Sequence, residues 1–105
     1  MKHTINTRVD LRLSKKVIEK AMESYKKDFA DYAPHFSWRT GPGDVADFGF
    51  SVKGIKLGGT MHVLDGRIDV DMAVPFIARP FQGRAMRIID EHVARWVEKA
   101  KKGEI

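Results

Sequence analysis

The sequence predicts an α+β fold: a single curved antiparallel sheet with two helices packed on one face, in the order β-α-β-β-β-β-α. Three observations predict it. Between residues 45 and 74, three consecutive segments alternate apolar and polar residues with a period of two, the pattern of strands with one buried and one wet face. The turns between them are short. On either side lies a helix-length segment with one apolar stripe, and two such stripes are buried most economically on the apolar face of one sheet.

Taken in order, Thr4 to Val9 reads as a first strand, with Ile5, Thr7 and Val9 on one side. Ser14 is a suitable N-cap, and Leu13 can pack against Ile18 as a hydrophobic staple. Val17, Ile18, Ala21, Met22, Tyr25 and Phe29 recur at spacings of three and four, predicting a helix from about Lys15 to Tyr32. Pro34 ends it, because the residue before a proline is pushed out of the helical region. His35 to Thr40 alternates around Phe36 and Trp38, and Gly41-Pro42-Gly43-Asp44 is a loop. Val45 to Lys53, Ile55 to Val63 and Ile68 to Val74 are the next strands, separated by a tight turn at Gly54 and a hairpin at Asp65-Gly66. Pro75 stops the last strand. Pro80 suits the first turn of a helix, whose stripe is Phe81, Ala85, Ile88, Ile89, Val93, Trp96, Val97 and Ala100, running to about Lys101. Gly49, Gly58 and Gly59 fall inside strands, where glycine marks a bulge, a bend or a close backbone approach.

The 105 residues are 43% hydrophobic and 31% charged, the balance of one globular domain. The absence of cysteine excludes disulfides and thiolate metal sites. The longest uncharged apolar run, residues 72–78, contains Pro75 and is far shorter than the roughly 20 residues a bilayer span needs. With no signal-like apolar stretch at the start, a cytoplasmic protein is expected. The net charge is +5. It divides as eight basic against five acidic residues in 1–33, four against five in 34–78, and seven against four in 79–105. The two ends of the chain carry the surplus, which attracts anionic partners weakly.

Residues with chemical potential are few. None of His3, His35, His62 and His92 has a metal-binding spacing. His62 shares the polar sheet face with Asp69 and Asp71, a pair capable of acid–base work, but with no cleft or nucleophile beside it in the sequence pattern it reads as an ordinary cross-strand surface pair. His92 borders the second helical stripe as a half-buried imidazole. Ser24-Tyr25-Lys26-Lys27 matches a serine–lysine spacing without its companion motifs. The glycines form no phosphate-binding loop. Phe36, Trp38, Phe48 and Phe50 are assigned to the buried face, which leaves no stacking platform for single-stranded nucleic acid. No catalytic residue, metal site or cofactor is expected. The remaining feature is the basic run of the second helix, Arg79, Arg84, Arg87, Arg95, Lys99, Lys101 and Lys102, with Phe76, Ile77 and Phe81 at its start. Arginines beside apolar residues can dock on an anionic or amphiphilic surface. The surface-binding candidates are therefore Arg79, Arg84, Arg87, Arg95, Phe76 and Phe81.

The order of elements, together with particular residues, resembles a family. Those residues are His3-Thr4-Ile5, Leu13-Ser14 at the helix start, Phe36-Ser37-Trp38, and Phe48-Gly49-Phe50-Ser51. Gly54-Ile55, Gly59-Thr60-Met61-His62-Val63, Asp65-Gly66-Arg67-Ile68 and Val74-Pro75-Phe76-Ile77 complete the set. Over nearly its whole length the chain resembles the small bacterial polyhydroxyalkanoic acid system proteins, encoded beside polyester-granule genes. The chain is more basic than that pattern and has a longer 41–44 loop. The resemblance implies an intracellular protein of storage-polyester metabolism and carries over no functional residue. The expected role is a non-enzymatic accessory that binds a granule surface or a granule protein. Two alternatives stand beside it: a ligand-binding or catalytic domain with a cavity between sheet and helices, and a weak binder of nucleic acid or another anionic surface through the basic C-terminal helix.

Overall fold

The computed structural model describes residues 2–73 and 79–105, apart from the side chains of Val52, Arg79, Phe81, Gln82 and Ala85. The expectations for Val74, Pro75, Phe76 and Ile77 lie outside the described residues, as do those for the side chains of Arg79 and Phe81.

Five strands and two helices appear in the expected order. They are β1 (Lys2–Asn6), α1 (Leu11–Asp28), β2 (His35–Trp38), β3 (Val45–Val52), β4 (Ile55–Leu64), β5 (Arg67–Ala73) and α2 (Arg79–Lys101). A 3₁₀ turn, Ala30–Tyr32, follows α1. The strands form one open sheet in the order β1-β5-β4-β3-β2, with every neighbouring pair antiparallel.

The alternation along the strands places Ile5, Ala46, Phe48, Phe50, Leu57, Met61, Val63, Ile68, Val70 and Met72 on one buried face. Both helices cover that face. α1 lies over β4, β3 and β2, and its Glu19 accepts a hydrogen bond from the Trp38 indole at 2.8 Å. α2 lies on the β1 side, where His3 reaches Asp90 at 2.8 Å. Tyr25, Ile18, Val17, Ile89 and Val93 close the core from above, each at most 2% exposed. Burying a side chain of this size contributes about 1.5–3 kcal/mol, which makes this layer contact the main source of stability.

Several boundaries differ from the sequence-based reading: β1 starts two residues earlier, at Lys2, β2 ends at Trp38, not Thr40, and both ends of α1 move. The first strand ends at Asn6, not Val9, and α1 begins at Leu11, with Asp10 as its N-cap. The Asp10 carboxylate accepts from Leu13 N–H at 2.9 Å. Ser14 is instead inside the helix and fully buried, its hydroxyl 2.7 Å from that of Thr7 and 3.2 Å from the Val9 carbonyl. Both residues can cap a helix. Burial decides, because Thr7 and Ser14 satisfy each other in a site that water does not reach. At the other end, α1 stops at Asp28, and the 3₁₀ turn carries the chain to Ala33, at φ +46°, ahead of Pro34. The turn between β3 and β4 has both central residues, Lys53 and Gly54, at positive φ (+50° and +80°), as a two-residue hairpin of the favoured twist requires.

The in-strand glycines mark close approach. Gly59 faces the core between Phe48 and Met72 in the registers of β3 and β5. A Cβ there would run into the Asp71 carbonyl oxygen and lie 2.8 Å from Met72 Cα. Both obstacles are backbone and cannot rotate away. In contrast, a Cβ at Gly83, exposed within α2, meets nothing within 4 Å among the described residues. Gly59→Ala should therefore lower the stability from urea unfolding by about 1–3 kcal/mol, the cost of overpacking. Gly83→Ala should raise it by about 0.5–1 kcal/mol through helix propensity.

Candidate functional site

α2 has a buried stripe and an outer stripe. Met86, Ile89, Val93, Val97 and Ala100 face the sheet and α1. Arg84, Arg87, Glu91, Arg95, Glu98 and Lys102 fall on the opposite side, all exposed. The sequence-based candidates Arg84, Arg87 and Arg95 are thus presented together to solvent. Among the described residues, none of the three is held in an ion pair. Glu91 and Glu98 stand between them, which a count of the basic residues alone overlooks. Lys99 is half-buried and not part of the outer stripe. Its ammonium lies 4.4 Å from the centroid of the Trp96 ring, a cation–π contact.

The helices run antiparallel to each other and are clipped together by histidine. His92, only 5% exposed, is more buried than its place at the stripe border suggests. Its Nδ1 donates to the Ile88 carbonyl at 2.8 Å, and Nε2 lies 3.3 Å from Asp28 Oδ2. The Tyr25 and Phe29 rings stand edge-on to it at 5.7 and 5.9 Å. His3 and Asp90 clip β1 to the same helix. Two carboxylates of the helical layer, Asp28 and Asp90, are thereby engaged by imidazoles.

Once the fold is known, the charge map simplifies. α1 carries six basic and three acidic residues, and so does α2, while the rest of the chain has seven basic against eight acidic. The surpluses at the two ends of the sequence therefore share one layer of the molecule. Its outer side also presents Arg12, Lys16, Lys26 and Lys27.

The outer sheet face is polar and internally paired. His62 stands directly opposite Asp69, as the hairpin pattern indicates. The Asp69 carboxylate accepts from Thr4 Oγ1 at 3.2 Å and pairs with Arg67 at 3.3 Å. No group of three or more His, Asp or Glu side chains gathers as a metal site among the described residues. Phe36, Phe48 and Phe50 and the Trp38 ring pack on the core side, so among the described residues the outer face holds no row of aromatics. The depressions seen among the described residues are open to solvent, although buried residues line them in part, Met22 beside β2 and Val93 and Val97 beside β1. Nothing there supports a cavity between sheet and helices.

Arg39 holds Asp47 in a two-pronged pair at 2.9 and 2.7 Å. Hydrogen bonds from Arg39 keep the Asp47 carboxyl below its ordinary value of 3.8; desolvation opposes them, and the Arg39 and His35 charges add to the lowering. In the unfolded chain this carboxyl protonates at a higher pH than in the folded one. The pair's contribution is therefore complete above about pH 3.8 and is lost as the pH falls through the lower folded-state value. Tyr25 behaves oppositely in sign: burial raises its hydroxyl above 10.0, and Tyr32 adds to the effect. The stability tied to it is present below pH 10 and lost above. Thermal melts should show a shallower acid-side loss for Asp47→Asn than for the wild type, and a shallower alkaline-side loss for Tyr25→Phe.

This is a two-layer α+β protein with a cationic helical layer and a polar, internally paired sheet face. The chain belongs to the family described as putative polyhydroxyalkanoic acid system protein, whose model matches residues 2–96. No curated protein and no solved structure matches it.

Proposed function

We propose that the protein is a non-enzymatic accessory of polyhydroxyalkanoate storage that docks on a granule surface or a granule protein through the outer side of its helical layer. The family links the chain to the polyester system. The observation that carries the docking mode is the convergence of both helical charge surpluses on one layer, with Arg84, Arg87 and Arg95 exposed. Arg79, Phe76 and Phe81 are candidates on sequence alone, since Phe76 and the side chains of Arg79 and Phe81 lie outside the described residues. No helix among the described residues is long and apolar enough to cross a membrane, so attachment is peripheral in this reading. A cation near an anionic surface contributes about 1 kcal/mol, modest singly and useful in sum.

Fractionation of polymer-producing cells tests the association: the protein should sediment with purified granules and rise with polymer content. Its absence from granules at every polymer level would overturn the reading. The triple variant Arg84→Gln, Arg87→Gln, Arg95→Gln tests the face. These side chains lie off the buried stripe, so the melting temperature should hold. Granule affinity should drop by up to about a hundredfold in low salt, given about 1 kcal/mol per charge, and wild-type binding should weaken as salt rises. Unchanged affinity in the triple variant would exclude this face as the docking surface.

A further inference from the structure

β2 is an edge strand of four residues. Against β3 it runs in the register His35↔Gly49, Phe36↔Phe48, Ser37↔Asp47, Trp38↔Ala46. The next N–H, that of Arg39, donates to the Val45 carbonyl at 2.8 Å. Hydrogen-bonded pairs alternate along an antiparallel ladder. Arg39, Ser37 and His35 therefore spend their backbone groups on β3, and those of Phe36 and Trp38 point away from the sheet. Among the described residues, none of these four groups has a partner.

Natural edges are blunted by short strands, proline, an inward charge or a bulge; β2 is short and follows Pro34, but residues 35–38 themselves hold no proline, inward charge or bulge. Their core-side residues are instead Phe36 and Trp38, half-buried, with rings 5.3 Å apart and edge to face. A groove runs beside them under α1, lined by Glu19, Met22, Glu23, Lys26, Phe36 and Trp38.

We propose that a second copy of this chain closes that edge: β2 of two protomers pairs antiparallel about a two-fold axis at Ser37. In this register Phe36 stands opposite the partner's Trp38, and Trp38 opposite the partner's Phe36. Each of these pairs exchanges two backbone hydrogen bonds, so every outward group of both strands is used. The four rings join into one apolar strip. Charge agrees with the same axis. Glu19 holds the Trp38 indole and so marks that end of the groove. Lys26, two turns further along α1, marks the Phe36 end. The two-fold brings Glu19 toward the partner's Lys26. Pairing through β2 makes a continuous ten-stranded sheet with both helical layers on one side, doubling the cationic surface for avid attachment.

The chain contains no cysteine, so Ser37→Cys introduces a single thiol. Directly opposed residues of a non-hydrogen-bonded pair have Cα atoms about 4.5 Å apart, within disulfide reach. Under mild oxidation, Ser37→Cys should become a covalent dimer at least about tenfold faster than Lys56→Cys, an exposed control on the same face of β4. Wild-type protein should sediment as a dimer at about 100 μM, a range suited to a small interface. Ser37→Lys, which sets like charges across the axis without touching the core, should sediment as a monomer with an unchanged thermal melt. A monomeric wild type, equal crosslinking of the two cysteine variants, or a Ser37→Lys variant that remains dimeric would each overturn the proposal. None of these readouts involves granules, so failure here is distinct from failure of the docking role.

Discussion

The tip of the β4–β5 hairpin is the contact on which the rest of the architecture depends. Gly66 N–H donates to the Val9 carbonyl at 2.9 Å, and the Gly66 carbonyl accepts from Thr7 and Arg8 at 3.0 and 3.1 Å. These bonds hold the short link between β1 and α1, including Arg8 at φ +57°, a conformation that is uncommon outside glycine. With the link pinned, β1 lies beside β5, and α1 starts where Asp10 caps it. Thr7 and Ser14 then seal the junction inside the core. α1 can only run back over β4, β3 and β2, which leaves the β1 side of the same face for α2.

The helical layer is positive partly because of where its negative charges are used. Asp28 faces His92 between the helices, and Asp90 is bound to His3 at the sheet edge. Lys20 and Glu23 offset each other within α1, a pairing worth little in energy at the surface but neutral in net charge. Arg12, Lys16 and Lys27 of α1 and Arg84, Arg87 and Arg95 of α2 are exposed on the outer side of the layer. Packing thus converts a weak sequence bias at two distant ends of the chain into one electrostatic face.

The sequence made the meander legible and the N-terminal junction only partly so. β3, β4 and β5 lie within a residue or so of their expected bounds, because alternation and two-residue turns are local properties. β1 and α1 were displaced by three or four residues, because Asp10 and Ser14 are both competent caps and the choice rests on the buried Thr7–Ser14 contact. The pairing of β1 with β5 has no local signal at all. For the candidate site, the exposure of Arg84, Arg87 and Arg95 followed from helical spacing. Their neighbours Glu91 and Glu98 are equally legible on the same spacing and temper the basic run. That α1 adds its own cations to the same side requires the fold, since nothing in either helix alone states which way the other one faces.

Lys2 lies opposite Asp71, so the first strand joins the sheet across nearly the whole length of the meander. On a ribosome, where synthesis advances at roughly 5–20 residues per second, β1 waits several seconds for its partner to emerge. During that interval α1 is complete, but its apolar stripe of Val17, Ile18, Ala21, Met22 and Tyr25 has no sheet to cover. The nascent chain therefore passes through a stage with an exposed amphipathic helix, which is covered only once the meander has followed it.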